Sequence, residues 1–414
     1  TAPAPKGLVA ITGATIITMD GDEVIENGII LIENNRIKKV GTSKTKIPKE
    51  AKMVDAYGKT IIPGLVDVHA HMGLEWDGLS SEQNWHYLAN LAFGVTTTHD
   101  PSKDTEMVFA NSELQKAGKL LAPRIYSTGT ILYGAVTGFT AEVNSFDDAK
   151  RALKRIKAFG GFSVKSYNQP RREQRQQILK AARELNMHVY PEGGSTLQHN
   201  LNMVADGHNG IEHSIPVSPL YKDVLTLYGE SGVSYTPTLI VSYGGLWGEN
   251  YWYSKMKIFE HKHLQGFFPQ PLLDQRRRRM KVEEDDWNHI ENAKAAKALS
   301  DAGVKVNNGA HGQLEGLGVH WEMWMLAQGG MSPIEALRAS TMNGAEYLGM
   351  GDDLGSLEAG KLADLVILGE NPLDDIKNSD SVEMVMLNGR LYDAKTMNEM
   401  VTGNSKRLPH WWEK

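Results

Sequence analysis

The sequence contains no cysteine. Disulfides, thiolate metal ligands and a cysteine nucleophile are therefore excluded, and cysteine usage does not indicate a redox compartment. There is no run of 18 apolar residues, so no membrane-spanning helix is predicted. The chain begins TAPAPKG, without an initiator methionine or a signal-peptide pattern. We therefore expect a processed protein or an excised domain whose targeting signal lies in a missing part.

The chain also lacks an excess of positive charge. Its 44 basic and 50 acidic residues give a formal net charge of −6. This balance argues against a non-specific nucleic-acid binder, which would carry a basic face. The one basic cluster, residues 276–279, is followed at once by the acidic cluster 283–286. Opposite charges this close together predict a solvated, self-paired helical surface.

The 414 residues are enough for one large catalytic domain and a small second one. Residues 7–58 and 355–393 are rich in short β patterns separated by turn residues, which predicts a small β-sandwich built from both ends of the chain. We assign residues 1–60 and 351–414 to this composite sandwich and residues 61–350 to the second domain.

The middle of the chain alternates short apolar strands with helical patterns, which is typical of a parallel sheet built from βα units. Capping residues Ser145 and Ser332 begin two of the helices, and Gly349 is expected to end the second. Eight strand candidates lie near residues 64–68, 94–98, 123–128, 162–166, 187–191, 209–213, 234–239 and 303–308. They predict an α/β fold with a (β/α)8 TIM-like barrel, whose sites lie at the carboxyl ends of the strands. The aromatic insertion 243–288 would then lie over the barrel mouth.

One stretch, residues 60–73 (TIIPGLVDVHAHMG), carries the strongest chemical signal. A buried strand ends in His69-Ala70-His71, and residues two apart in a strand share a face. Two imidazoles on one face are half of a site for a divalent metal. The alternative is two surface histidines that share a face by accident.

Three further strand candidates carry a ligand-type residue at their ends: Lys165, His213 and His311. A lysine at the end of a buried strand is costly unless it has a partner or is modified. As a carbamate, Lys165 would be an anionic ligand able to bridge two metal ions. A lysine that reaches solvent is the alternative.

Several motifs together resemble the amidohydrolase superfamily of metal-dependent hydrolases. They are PGLVDVHAH at 63–71, GVTTTHD at 94–100, SVKSY at 163–167, GIEHS at 210–214 and GSLEAGKLADLVIL at 355–368. The resemblance covers nearly the whole chain. It favours the branch with imidazolonepropionase-like and Xaa-Pro-dipeptidase-like members. It is closer still to the amidohydrolase domain that follows a TolB-like β-propeller in larger bacterial proteins, through GVHWEMWMLAQGGMSP and YGGLWGENYWY.

Two positions depart from the pattern of the family. At the end of the fifth strand the family has a histidine, where this chain has Tyr190 followed by Glu192. Glu192 is the candidate replacement ligand, or else it lies behind the ligands. At the end of the eighth strand the family has a metal-binding aspartate that accepts a proton, where this chain has His311. We interpret His311 as a base or a ligand, and weakened or altered chemistry stays open.

The resemblance implies cleavage of a C–N bond in an amide, a dipeptide or a cyclic amide by a metal-activated hydroxide. The predicted metal ligands are His69, His71, carbamylated Lys165, Glu192 and His213, which would hold one or two divalent ions, with zinc as the expected metal. His311 would act as the catalytic base. Residues predicted to bind substrate, each of which is equally able to be a packing residue, are Tyr133, Tyr167, His208, Tyr243 and His320. His99 is expected to lie behind the ligands.

Alternatives remain for the function and for the setting of the protein. The same metal site would serve a lactone, ester or phosphotriester hydrolase, and a binding or scaffold domain that has lost turnover is the rival in another class. We expect a small-molecule amide or peptide substrate, no nucleic-acid or membrane partner, a homo-oligomer, and an N-terminal β-propeller in a longer native chain. A periplasmic or secreted location is favoured over the cytoplasm.

Overall fold

The computed structural model describes residues 4–73, 78–133, 138, 140–167, 169, 171–194, 196–242, 245–277 and 279–413. The strands are β1 (Leu8–Ile17), β2 (Val24–Glu33), β3 (Arg36–Gly41), β4 (Lys52–Asp55), β5 (Thr60–Pro63), β6 (Leu65–Asp67), β7 (Val95–Asp100), β8 (Arg124–Ser127), β9 (Ile131–Tyr133), β10 (Thr140–Glu142), β11 (Ser163–Ser166), β12 (His188–Pro191), β13 (Gly210–Glu212), β14 (Ser234–Thr236), β15 (Leu365–Leu368), β16 (Val382–Leu387), β17 (Arg390–Asp393) and β18 (Glu399–Met400).

The α-helices are α1 (Trp85–Ala92), α2 (Thr105–Lys116), α3 (Phe146–Ala158), α4 (Arg172–Leu185), α5 (Leu197–Asp206), α6 (Lys222–Ser231), α7 (Glu249–Lys255), α8 (Lys262–Gln265), α9 (Gln270–Gln275), α10 (His289–Asp301), α11 (Leu317–Gln328), α12 (Pro333–Ala339) and α13 (Met342–Tyr347). Short 3-10 helices lie at Ile258–Glu260, Glu284–Asp286, Ile376–Asp380 and Trp411–Glu413. Within the described ranges, no helix is both long enough and apolar enough to cross a membrane.

The largest sheet, which we call the terminal sheet, brings together strands from both ends of the chain. Its nine strands follow the order β18-β17-β16-β15-β5-β1-β2-β3, with β4 paired to β1. The first strand β1 pairs with β5 in parallel, and β15 pairs with β5 in antiparallel register, with Ile367 opposite Ile61. An apolar cluster that includes Ile11, Ile16 and Ile30 covers one face and is fully buried. Burial of apolar surface, at roughly 25 cal/mol per Å², therefore holds this sheet together.

Gly64 marks the point where the chain leaves the terminal sheet. Its amide donates to the carbonyl of Asp364, which precedes β15, whereas the next amide, Leu65, donates to the carbonyl of Gly94 before β7. A Cβ on Gly64 would come within 2.1 Å of the Thr96 hydroxyl oxygen. The Pro-Gly break is therefore required by close packing, and it separates β5 from β6.

The middle of the chain forms parallel strands that alternate with helices, a TIM-barrel-like arrangement. The strands β6, β7 and β8 form one ladder, β11 and β12 belong to a second with β9 and β10, and β13 pairs with β14. Single parallel bridges connect Glu192 to Glu212 and Tyr235 to Val306. The amide of Val68 donates to the carbonyl of Asn308, 3.1 Å away, so the last segment lies beside the first. Each of the eight predicted strand segments overlaps a strand or, for 303–308, an isolated bridge.

The predicted end of one helix needs correction. The helix capped by Ser332 ends at Ala339 rather than near Gly349, and a separate helix, α13, follows. The break has a clear cause, because the carbonyl of Ser340 accepts the amide of Val66 in β6 and so leaves the helical pattern. By contrast, α3 begins as predicted, with the Ser145 hydroxyl accepting the amide of Asp148 at 3.1 Å.

Among the described residues of the insertion, no ion pair joins the basic cluster 276–279 to the acidic cluster 283–286, contrary to the prediction. Arg276 lies 3.5 Å from Glu249, and Arg277 donates to Asp274. Glu284 pairs with Lys255. The insertion folds into short helices (α7 to α9) and 3-10 turns, and these bring other charges closer than the ones adjacent in sequence.

Candidate metal centre

Four imidazoles from three distant parts of the chain lie together where parallel strands end. His69 and His71 follow β6, His213 follows β13, and His311 follows the bridge at Val306. The ring centroids of His69 lie 4.9 Å from His71, 4.8 Å from His213 and 5.0 Å from His311. Ligand atoms of His69, His213 and His311 all lie within 4.8 Å of one another. We call these histidines, with Lys165 and Glu192, the strand-end site.

Three of these histidines have left-handed backbone conformations. The φ angles are 37° at His71, 72° at His213 and 58° at His311. Such conformations cost of order 1–3 kcal/mol for a non-glycine residue and persist only where the surrounding structure enforces them. They end the strand alternation and turn each ring toward the same point. This strain is concentrated where three strand ends meet.

The imidazoles have the geometry and charge state that a divalent metal requires. The Nε2 atoms of His69 and His71 are 3.1 Å apart, and two ligands of one tetrahedral zinc ion, each about 2.0–2.1 Å from it, are about 3.3 Å apart. Burial, with help from the charge of Lys165, lowers the pKa of His69 well below its ordinary value. Burial also lowers the pKa of His213 and His311. Neutral imidazole is the form that binds metal, so the residues present fit such an ion.

The Nδ1 atoms of His69 and His213 each contact a buried side chain. His69 Nδ1 lies 2.5 Å from Glu212 Oε2, and His213 Nδ1 lies 2.7 Å from the Thr238 hydroxyl. A partner at Nδ1 fixes the ring orientation and leaves Nε2 for a ligand. Glu212 also accepts the Tyr347 hydroxyl at 2.6 Å, and burial raises the pKa of its carboxyl to about 7.

Lys165 and Glu192 form a buried pair beside the imidazoles. Lys165 Nζ lies 2.6 Å from Glu192 Oε2, and Glu192 Oε1 lies 2.8 Å from His213 Nε2. Their side chains are 1% and 5% exposed. Although burial pushes the pKa of Glu192 upward, the charges of His213 and Lys165 hold it well below its ordinary value. Glu192, which follows β12, is therefore an anionic oxygen donor at the edge of the imidazole cluster.

Two aspartates tie the ligand-bearing segments together. Asp67 Oδ1 accepts the amides of His69 at 3.0 Å and Ala310 at 3.1 Å, which links the first and last segments of the site. Burial raises the pKa of Asp67 to about 7. Asp100 Oδ1 lies 3.7 Å from His71 Nδ1, which is also 3.2 Å from the Ser102 hydroxyl.

The residues predicted to bind substrate lie in different places. Tyr133 and Tyr167 are half-buried and pack edge to face, with ring centroids 5.1 Å apart. Tyr243 falls outside the described residues. His208 precedes β13, at the opposite end of that strand from His213, and its Nδ1 bonds to the Met203 carbonyl.

His320 and His99 are held by contacts in the protein interior. The two ring nitrogens of His320 bond to the Phe93 carbonyl and the Ser379 hydroxyl, so the ring connects α11 to neighbouring elements instead of facing a substrate. His99 lies behind the ligands as expected from its position, with its nitrogens near the Val68 carbonyl and the Ser163 hydroxyl. At the fifth strand, Tyr190 donates to the Tyr347 carbonyl, while Glu192 reaches the site.

Sequence reasoning missed Glu212, Thr238 and Glu322, which support the site from behind. Glu212 is adjacent to His213, and a carboxylate in an apolar strand was a signal that could have identified it. Thr238 lies in a turn after β14, and Glu322 lies on the buried helix α11. Their contacts depend on tertiary packing, and no local pattern identifies them.

Comparison with known proteins gives short sequence matches and long structural ones. A stretch of 126 residues is 31% identical to dihydroorotase from Aquifex aeolicus (strain VF5), covering 29% of each chain. A stretch of 61 residues is 43% identical to 5-methylthioadenosine/S-adenosylhomocysteine deaminase from Bacillus thuringiensis (strain Al Hakam), covering 14% of each chain. The matched stretches therefore span less than a third of these curated relatives.

Solved structures align over most of the chain. A Xaa-Pro dipeptidase with bound methionine aligns with a TM-score of 0.72 at 21% identity, over 94% of this chain and all of that one. The ochratoxinase of A. niger aligns with a TM-score of 0.69 at 20% identity, over 93% of this chain and 96% of that one. At these identities the likeness establishes the fold.

The family assignment comes from the sequence profile. The profile of the Amidohydrolase family matches residues 60–392, which include every member of the strand-end site. The match spans well over half of the 414 residues. The chain belongs to the amidohydrolase family.

Proposed function

We propose that this protein is a metal-dependent hydrolase that cleaves a C–N bond in an amide, a dipeptide or a cyclic amide. The observation that carries the proposal is the convergence of imidazoles at the strand ends, three of which, His69, His213 and His311, bring ligand atoms within 4.8 Å of one another. Family membership supports it, because the matched profile covers the same residues. The proposal places the reaction at the carboxyl ends of the strands of a closed (β/α)8 barrel.

The proposed ion is zinc, present as one or two ions, held by His69, His71 and His213 with His311 or Glu192. A bound divalent ion supplies a water of lowered pKa and polarises the scissile carbonyl. The protein contributes the fixed orientation of the rings. Glu212 holds His69 from behind, and Thr238 holds His213.

Lys165 has two possible states, and we propose the carbamate. An ammonium at this position pairs directly with Glu192, 2.6 Å away. A carbamate is an anion, so it would face the Glu192 carboxylate unless positive charge lay between them. Carbamylation of Lys165 therefore goes together with occupancy by two cations, whereas an unmodified lysine goes together with one.

Where Glu192 completes the ligand set, His311 is the proposed base. Its Nδ1 is buried and has no hydrogen-bond partner among the described residues. A nitrogen without a structural partner is available to take a proton and return it to a leaving amine. Tyr133 and Tyr167 are the proposed substrate contacts, since their rings pack together where β9 and β11 end.

A second candidate is a binding domain with weakened chemistry. It is favoured by the Lys165–Glu192 pair, which balances its own charge without an ion. A lactone, ester or phosphotriester hydrolase on the same ligands is a further alternative. The composite sandwich of residues 1–60 and 351–414, the barrel boundaries 61–350, a homo-oligomer, an N-terminal propeller and a periplasmic or secreted location all stay predictions.

The test is to remove and restore the metal. The protein is dialysed against a chelator, and metal content and hydrolysis of a panel of dipeptides, N-acyl amino acids and lactones are measured before and after zinc is returned. We expect hydrolysis of a C–N substrate that is lost and regained with the metal. The carbamate is read from the ¹³C NMR signal after incubation with labelled bicarbonate, with Lys165→Ala as control. Full activity without metal would reject the proposal, and stoichiometric metal without turnover would favour the binding domain.

A further inference from the structure

The turn after β14 has an unusual backbone and lies directly behind the metal centre. Thr238 and Ser242 both have φ angles of 45°, the left-handed conformation that a β-branched threonine rarely adopts. Both side chains are fully buried. The Thr238 hydroxyl lies 2.7 Å from His213 Nδ1. A strained, buried residue in contact with a candidate ligand requires something that holds it in place.

Glu322, on helix α11, provides that support. One carboxylate oxygen accepts the amide of Leu239 at 2.8 Å, and the other accepts the amide of Ile240 at 2.9 Å. Glu322 is fully buried. A buried carboxylate is costly unless it is well hydrogen-bonded, so these two bonds are essential to its presence in the interior. They fix the two peptide groups that immediately follow Thr238.

The hydrogen bond between Thr238 and His213 differs in kind from the one between Glu212 and His69. Glu212 can only accept a hydrogen bond when ionised, whereas a hydroxyl can donate or accept. His213 Nε2 lies 2.8 Å from Glu192 Oε1, so His213 Nδ1 is an acceptor when Nε2 carries the proton and a donor when Nε2 binds metal. Thr238 suits both states. Because a neutral hydroxyl bonds weakly, the orientation of His213 depends on how precisely the turn places it.

We infer that Glu322 is a positioning residue that acts through Thr238: it holds the turn 236–242 so that the Thr238 hydroxyl orients the His213 ring toward the metal. The inference rests on the proposed function in taking His213 as a ligand. The same turn also anchors the aromatic insertion, because the Ile240 carbonyl accepts the amide of Glu249 at 2.7 Å. The buried carboxylate of Glu322 thus connects His213, a candidate ligand, to the aromatic insertion that follows the turn.

The test uses three single variants and a control on the same turn. Thr238→Val removes the hydroxyl at nearly constant shape, and Thr238→Ser restores it. Glu322→Gln replaces one acceptor oxygen by a donor. The control is Ser242→Ala, which removes a 2.7 Å bond from Asn292 at the far end of the turn. Zinc affinity is measured by competition with a chelator, and the cobalt form is compared by its visible absorption spectrum.

We expect Thr238→Val and Glu322→Gln each to weaken zinc binding by about 10- to 100-fold and to alter the cobalt spectrum. Thr238→Ser and Ser242→Ala should bind zinc as the wild type does. Glu322 is proposed to act on His213 through Thr238, so the two losses should not add. The double variant Thr238→Val/Glu322→Gln should therefore bind zinc no more weakly than Glu322→Gln alone. Wild-type affinity in a folded Thr238→Val protein, or additive losses in the double variant, would overturn the inference.

Crystal structures of the metal-free variants separate this inference from the proposed function. If the wild type binds no zinc, the proposed function fails, but the positioning role is still read from the structures. The inference expects a displaced turn and a rotated His213 ring in Glu322→Gln. An unmoved ring would refute it, and Thr238→Val gives the same reading if Glu322→Gln does not fold.

Discussion

The terminal sheet and the strand-end site are built from the same chain by opposite means. In the terminal sheet, β1 and β2 each run for ten residues, and their inward side chains are aliphatic and fully buried. At the strand-end site the strands are short, four residues or fewer in β6, β11 and β13. The buried side chains there are imidazoles, a lysine and carboxyls.

The two regions differ in what makes the burial of their side chains favourable. Burial of aliphatic side chains is favourable without any specific partner. Burial of the Lys165 and Glu192 charges, by contrast, depends on specific partners, because Lys165 pairs with Glu192 and Glu192 also contacts His213. The site therefore depends on exact pairing and strained backbone, while the sheet tolerates conservative changes. Four substitutions test this comparison, in order of expected effect.

The largest effect is expected from removing a candidate ligand. His71→Ala should lower hydrolysis by more than about 100-fold, beyond the 10- to 100-fold typical for loss of an outer partner of a ligand. The His71 side chain is 28% exposed, so the metal-free protein should unfold at nearly the same urea concentration as the wild type. His261→Ala, a histidine of the insertion that is 22% exposed, is the matched control. Unchanged hydrolysis in His71→Ala would contradict the proposal that the strand-end site carries the chemistry.

The next effect tests whether the buried pair is needed for stability. In metal-free protein, Lys165→Met should lower the free energy of unfolding by about 3–5 kcal/mol, because the buried Glu192 carboxylate loses the cation that compensates its charge. The double variant Lys165→Met/Glu192→Leu should recover most of that loss. Urea denaturation followed by circular dichroism measures both. A Lys165→Met protein as stable as the wild type would mean that water or an ion already compensates the carboxylate.

Sequence reasoning located the candidate ligands better than the residues that support them. The alternation and the Pro-Gly break around His69 and His71 are local, and so were visible in one stretch of sequence. Glu322 and Thr238 were not identified, because Glu322 reaches the turn that carries Thr238 only when α11 packs against a segment more than 80 residues away in sequence. Glu192 was named because strand alternation reaches it, but its pairing with Lys165 was not.

The same distinction holds for the fold. Strand-rich patterns at both ends were recognised from turn residues and β-branched runs, and the eight middle segments from their apolar character. The pairing of β5 with β15 could not be predicted, since the two strands are separated by about 300 residues and share no complementary pattern. The helix predicted to reach Gly349 was wrong because Ser340 bonds to β6 instead of continuing the helix.

A smaller effect is expected from trimming the terminal sheet. Ile30→Val, at a fully buried position of β2, should cost about 0.5–1.5 kcal/mol of unfolding free energy through lost burial and a small cavity. Hydrolysis per folded molecule and zinc affinity should not change. Met53→Ala, on β4 and 54% exposed, should cost less than about 0.5 kcal/mol. If Ile30→Val altered zinc affinity, the two regions would be coupled more tightly than their separate cores indicate.

The smallest effect concerns the C-terminal tail, which leaves the terminal sheet and packs near α1, with Trp412 and Trp85 ring centroids 6.2 Å apart. Glu413 accepts two bonds from Arg407, at 2.6 and 2.8 Å. Those bonds lower the pKa of Glu413 to about 2. Because the pKa of Glu413 is lower in the folded protein, its carboxylate stabilises the docked tail fully at pH values above the ordinary pKa of 4.5. This contribution is lost as the pH falls toward 2.

Glu413→Gln should therefore loosen the tail at pH 7 by less than about 1 kcal/mol, since the pair is partly exposed. The difference from the wild type should shrink as pH falls below 5. Protease cleavage of the tail, measured at several pH values with an acid-stable protease, reports this difference directly. If the difference in cleavage rate between Glu413→Gln and the wild type stayed constant with pH, the packing of the tail, and not its charge, would hold it in place. In either outcome zinc affinity should stay at the wild-type value, because the tail contact lies outside both the aliphatic core and the imidazole cluster.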